Sequence, residues 1–129
     1  MKPTTKLLIF LLILPVLALS GCTAENSAAD AIQAYFKALA AKNASELALL
    51  SCSEWEAQAK NELESFGAVT VSLETPDCQI NGDEGDYTLV SCSGKLIANY
   101  GNEILEIDLE DRIYLAANEG GEWRMCGYR

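Results

Sequence analysis

Five cysteines and no histidine set the limits of the chemistry open to this 129-residue chain. Without an imidazole there is no Ser–His or Cys–His nucleophile pair to build. No C-x-x-C pair is present either, so the cysteine spacing argues against a structural zinc site. The thiols divide into one and four. Cys22 stands alone behind Ser20-Gly21, at the end of an apolar run, while Cys52, Cys78, Cys92 and Cys126 form an even set further on. An even set in an exported domain reads as two disulfides. The oxygen-rich stretch Asn81–Asp86, "NGDEGD", invites a calcium reading. It lacks the D-x-D-x-D-G register and the distal bidentate glutamate of that loop, and reads as a solvated hairpin turn. No metal and no cofactor is expected.

The segment in front of Cys22 explains its isolation. Lys2 and Lys6 precede "LLIFLLILPVLAL", thirteen residues without a polar side chain, and small residues follow. A positive start, a short apolar stretch and a small-residue end form the layout of a secretory leader. A permanent span needs about 20 apolar residues, and this run is shorter and carries Pro15.

Leu19-Ser20-Gly21-Cys22 resembles the lipobox of bacterial lipoproteins. That resemblance implies a diacylglyceryl group on the Cys22 sulfur, cleavage before Cys22, and a further acyl chain on the new amino group. Each buried methylene contributes roughly 0.8 kcal/mol, so two or more chains hold a protein stably on a bilayer. The expected organisation is a leader over 1–21, a short tether over 22–27 and one domain over 28–129. The partner implied is a membrane, reached through Cys22. The expected location is the extracytoplasmic side of a cell membrane or outer membrane, where the four remaining thiols meet oxidising conditions. At about 3.5 Å per residue the tether reaches roughly 20 Å, keeping the domain close to its membrane.

Charge narrows the partners. Loss of Lys2 and Lys6 with the leader takes the formal charge from −10 to −12. So acidic a surface is repelled by phosphate backbones, which argues against nucleic acid. It also stands off from anionic headgroups and leaves anchoring to the acyl chains. Residues 22–129 suffice for one compact domain and not for two.

Three helices precede the strands. Ser27 with Asp30 forms a cap ahead of a stripe at Ile32, Tyr35, Phe36 and Leu39. Lys42 and Asn43 suit its end, and a short second helix is expected over Glu46–Leu50. Asn43-Ala-Ser45 matches a glycan acceptor in pattern but reads as a helix terminus and the next cap. Ser53 with Glu56 forms another box, followed by the stripe Trp55, Ala59, Leu63 and Phe66 and a stop at Gly67. Glu54, Glu56, Glu62 and Glu64 read as the first turn and solvated side of this third helix.

From Ala68 the period becomes alternating. Val69, Val71 and Leu73 point one way, Pro76-Asp77 interrupts the strand, and Cys78–Ile80 resumes it. A turn is expected at 81–85, a long strand over 86–100 and a two-residue hairpin at Gly101-Asn102. With Tyr100 opposite Glu103, Ala98 meets Leu105, Leu96 meets Ile107, Lys95 meets Asp108 and Gly94 meets Leu109. Ile113–Ala117, a turn at Asn118–Gly121 and a last strand Glu122–Tyr128 complete the chain. Four cysteines allow three pairings. Cys78 and Cys92 flank the 81–85 turn, nearly opposite if one bulge residue is allowed. That favours Cys78–Cys92 and leaves Cys52–Cys126.

The fold class is α+β, with N-terminal helices on a curved antiparallel sheet of about four strands, a cone-like roll. "AADAIQAYFKALAAKNASELALLSC" and "GGEWRMCGY" resemble the opening and closing elements of the nuclear transport factor 2-like (cystatin-like) fold. Relatives of that fold include isomerases and dehydratases with an Asp or His base in a cavity. Here Asp30, Asp111 or Glu106 would have to serve, with Tyr35 or Tyr114 as donors, and no pairing of these stands out. No catalytic residue is assigned. The leading expectation is a membrane-anchored lipoprotein with a non-catalytic binding or accessory domain for a protein or small-molecule partner. The alternative is a cavity-type isomerase, dehydratase or hydrolase of the same fold class.

Overall fold

A computed structural model describes residues 27–129; the leader, Cys22 and all of the tether before Ser27 lie outside the described residues. The first helix, α1, spans Ala28–Ala40. The Ser27 hydroxyl accepts from the Asp30 N–H at 3.1 Å, and the Asp30 carboxylate accepts from the Ser27 N–H at 3.5 Å. This is a reciprocal cap that satisfies two otherwise unpartnered donors. Ala28, Ala31, Ile32, Tyr35, Phe36, Ala38 and Leu39 are its buried stripe. The helix ends through Lys42, whose φ of 55° lets the Asn43 N–H reach back to the Ala38 carbonyl at 2.9 Å. A non-glycine residue is strained there. The Lys42 ammonium compensates by donating to the carbonyls of Gly67 and Val69, at the start of the sheet.

Helix α2 spans Ala44–Leu49 and is capped by Asn43, whose side chain accepts from the Glu46 N–H. Helix α3 spans Glu56–Ser65 and differs from expectation at its start. Ser53 does not cap it. The Ser53 N–H and hydroxyl both turn to the Glu119 carboxylate, at 3.1 and 3.4 Å. The Cys52 carbonyl accepts from both Trp55 and Glu56 N–H, so the chain passes through a turn before the helix begins.

Five antiparallel strands follow, one more than expected: β1 Thr70–Glu84, β2 Tyr87–Asn99, β3 Ile104–Asp108, β4 Ile113–Glu119 and β5 Glu122–Tyr128. Strand β1 occupies one edge of β2 along its length. The other edge is shared, with β3 against residues 95–99 and β4 against 87–91. Leu109–Asp111 form a 3-10 turn that carries the chain between them. The helices pack on this sheet, so the domain is α+β. The sheet is open and does not close into a barrel. Beyond β5, the Cys52 N–H donates to the Met125 carbonyl at 2.8 Å and the Met125 N–H to the Leu50 carbonyl at 2.7 Å. Among the described residues, no helix is long and apolar enough to cross a membrane.

The β2–β3 register runs Ala98 to Leu105, Leu96 to Ile107 and Lys95 to Asp108, while Leu109 has left the ladder for the 3-10 turn. The 81–85 turn lies elsewhere than expected. Strand β1 continues to Glu84 through a register shift between Ile80 and Gly82, and the reversal is Gly85-Asp86. The Thr88 hydroxyl donates to the Asp83 carboxylate at 2.9 Å, which ties the extended end to β2.

A second register shift lies between Glu74 and Asp77, opposite Gly94. Thr75 takes a φ of 42° and Gly94 one of 104°. A Cβ on Gly94 would sit 2.6 Å from the Glu74 carbonyl oxygen and 2.8 Å from that of Thr75, both fixed backbone atoms. Only glycine fits. Past this bulge Cys78 stands directly opposite Cys92, and a disulfide joins them with Cα atoms 4.1 Å apart. A second disulfide joins Cys52 to Cys126 across 5.2 Å.

Two outcomes test this framework. Gly94→Ala should lower unfolding free energy by at least about 2 kcal/mol, since both the φ and the space exclude a methyl group. Chemical denaturation reads this directly, and a loss under about 0.5 kcal/mol would contradict the close approach. Replacing both cysteines of the Cys52–Cys126 bridge, separated by 74 residues, should cost about 4 kcal/mol. Replacing both of Cys78–Cys92, separated by 14, should cost about 3 kcal/mol. The order of the two denaturation midpoints checks the loop-length argument.

Candidate binding pocket

On α3 the residues Ala59, Glu62, Leu63 and Phe66 fall at helical spacing on one face, and Glu62 is the polar member. It is half-buried, and the Tyr35 hydroxyl of α1 donates to its Oε2 at 2.8 Å. The Trp55 indole N–H donates in turn to the Tyr35 oxygen at 3.2 Å. Tyr35 is fully buried, so both of its polar contacts are needed to offset desolvation of the hydroxyl. Glu62 therefore departs from the expected solvated face, because its carboxylate is the partner of a hydroxyl buried on another helix.

Glu62 looks into a pocket of about 200 Å³ between α1, α3 and the sheet. Phe36, Phe66, Leu96 and Ile107 give it apolar walls, and Tyr114 and Tyr128 line the side nearest β4 and β5. Arg112 enters at the start of β4, its guanidinium carbon 4.1 Å from the centroid of the Tyr128 ring. That is a cation–π contact. Tyr128 packs edge-on against Trp55 at 5.4 Å, and Tyr114 against Phe36 at 5.0 Å. Among the described residues neither Glu62 nor Arg112 makes an ion pair.

Three tyrosines at this site hold their protons more firmly than usual. Burial, then the charge of Glu62, pushes the Tyr35 hydroxyl well up. Its bond from Trp55 opposes this weakly. Burial pushes Tyr114 up to about 12, against the pull of Arg112. Burial and Glu62 also raise Tyr128, again opposed by Arg112. The Tyr114 hydroxyl donates to the Leu109 carbonyl at 2.9 Å, which fixes the 3-10 turn at the rim.

The carboxylates considered from sequence lie elsewhere. Asp30 is spent in the cap of α1, and Asp111 is exposed in the 3-10 turn. Glu106 is exposed and bonds the Lys95 ammonium at 3.0 Å, which raises Lys95. None of the three lines the pocket. Tyr114 lines it and Tyr35 reaches it only through Glu62, and both hydroxyls are already engaged. An apolar groove of about 460 Å³ between α2 and α3 is larger, but its Lys60 and Glu64 pair with each other. The polar hollow beside Gly94 gathers Glu74, Asp108 and Glu110 around Lys95. Of these three, the first brings a carboxylate and a guanidinium to one shared apolar space with no ion pair between them among the described residues.

No family model matches the chain, and neither a curated protein nor a solved structure matches it.

The tyrosines give a test. An unfolded tyrosine ionises near pH 10, whereas Tyr35 and Tyr114 in the folded domain ionise higher. Their protonated form thus favours the folded state. That stability is complete below pH 10 and is lost as pH rises from there through about 12. Near-ultraviolet absorbance should show these two residues silent until the protein unfolds, with all five tyrosines titrating together in denaturant. The melting temperature should fall most steeply above pH 10, and Tyr114→Phe should flatten that fall. Full phenolate formation in the still-folded protein by pH 10.5 would contradict the burial argument.

Proposed function

We propose that this chain is a lipid-anchored protein of a bacterial envelope, cleaved before Cys22 and acylated there, whose domain binds a small ligand without transforming it. Two features support the location. Leu19-Ser20-Gly21-Cys22 follows a leader-like run, and the domain's two disulfides suit an oxidising compartment. The cell membrane or the outer membrane, with the domain on the extracytoplasmic side, is the proposed site. The resemblance to the nuclear transport factor 2-like fold read from the sequence is part of this proposal, and such a scaffold serves many functions.

One observation carries the binding reading: an apolar pocket presents a carboxylate and a guanidinium, each steadied by an aromatic partner and neither neutralised by the other. Small-molecule sites have this character, mostly apolar walls with a few placed polar groups. A cavity enzyme on the same scaffold would have to use Glu62 as its base. One oxygen of that carboxylate is already taken by the Tyr35 hydroxyl, and the Ser65 hydroxyl that also lines the pocket donates to the Glu62 backbone carbonyl and not to the carboxylate.

The anchoring reading is tested at Cys22. The native product should partition into the detergent phase of a cloud-point separation. Its mass should exceed that of residues 22–129 by a diacylglyceryl and an acyl group. Cys22→Ser should remain uncleaved and unacylated. An unmodified terminus in the native protein, or unchanged processing of the variant, would refute lipidation.

A further inference from the structure

The charge pattern of the pocket points to a ligand class. Among the described cations Lys37, Lys42 and Arg112 have no carboxylate partner, and of these three Arg112 lines the pocket. Lys60, Lys95, Arg124 and Arg129 each meet a carboxylate. Arg112 meets none among the described residues and lies on Tyr128 at the pocket wall. Glu62 faces the same space, half-buried, with Tyr35 as its hydrogen-bond partner. Glu62 and Arg112 line one pocket together with Tyr114 and Tyr128, and they act on those two hydroxyls in opposite directions.

We infer that this pocket binds an apolar α-amino acid as its zwitterion. The ligand carboxylate lies against Arg112, its ammonium against Glu62, and its side chain among Phe36, Phe66, Leu96 and Ile107. The inference rests on the binding reading proposed above and adds the ligand class to it.

Three arguments select the zwitterion. A ligand with a single charge would cover and desolvate the second protein charge without pairing it, which is unfavourable. A free anion would also have to approach a chain whose formal charge without the leader is −12, whereas a zwitterion carries no net charge against that field. Volume sets the size. About 200 Å³ lies below the range of about 300–1,000 Å³ typical of drug-sized sites. One amino acid fits that space. The lining explains the apolar side chain, since beyond Glu62 and Arg112 no further charge faces it.

Isothermal titration of the full chain in detergent micelles tests this with three probes of one shape: L-leucine, 3-methylbutylamine and 4-methylpentanoate. Leucine should bind at least 10-fold more tightly than either fragment. Arg112→Gln should erase the preference over the amine, and Glu62→Gln the preference over the acid. Near-ultraviolet circular dichroism checks that each variant is folded. If Glu62→Gln disturbs the fold, Arg112→Gln alone decides, because that side chain is exposed and makes no ion pair among the described residues, only its contact with the Tyr128 ring. A fragment that binds as tightly as leucine overturns the zwitterion and leaves a binding pocket of simpler charge. If none of the three binds, the pocket reading falls with it. The Cys22 result is independent of both.

Discussion

One strand must satisfy two edges, and most of this domain follows from how it does so. Strand β2 bonds β1 on one side for nearly all of its length. On the other side it serves β4 first and β3 second. The change of partner falls around Gly94, where the backbone of β1 comes so close that no Cβ fits. A bulge of this kind bends and twists a strand pair. It allows Glu74 and Asp77 to flank an insertion while Cys78 still returns into register with Cys92. Without glycine there, β1 would have to lift away, and the buried Val71, Cys78 and Cys92 would lose their packing.

The second constraint acts at the other end of the sheet. The Cys52–Cys126 disulfide and the backbone bonds between residues 50–52 and Met125 fasten the α2–α3 connection along β5. Trp55 consequently rests on Gly127 and Tyr128. Gly127 has a φ of 135°, which favours glycine, and a Cβ there would touch the indole ring at 3.6 Å. With Trp55 so placed, α3 must start late and run across the core opening, and Glu62 is brought over Tyr35. A covalent link 74 residues long in sequence thus decides which side of a helix faces inward.

These two constraints also mark what could be read from residues alone. The β2–β3 hairpin was legible because Gly101 with Asn102 is a local turn signal and the flanking alternation admits one register. The cap at Ser27, the last strand and the class of fold were legible for the same local reasons. The turn at 81–85 was misplaced, since Gly82 reads as a reversal until the pairing of Asp83 with Thr88 is known. Ser53 looks like a cap, but its donors answer to Glu119, 66 residues away. Glu62 was hidden among the three acids of a helix of weak amphipathicity, with Glu54 just before it. Its place at three residues from Ala59 and four from Phe66 was the only local sign, and its partner Tyr35 lies on another helix.

Why Glu62 and Arg112 stay apart is a matter of magnitudes. An exposed carboxylate–guanidinium pair typically yields about 0–1 kcal/mol. A hydrogen bond to a charged group is worth about 1.5–3 kcal/mol, and Glu62 has one from Tyr35. A cation over an aromatic face at an accessible site gains about 0.5–1 kcal/mol, and Arg112 has that on Tyr128. The two tyrosine contacts together outweigh what direct pairing offers, provided that the hydroxyls remain protonated. Burial ensures this by raising Tyr35 and Tyr128 alike. The aromatic residues that build the core therefore also keep two opposite charges available at its open end.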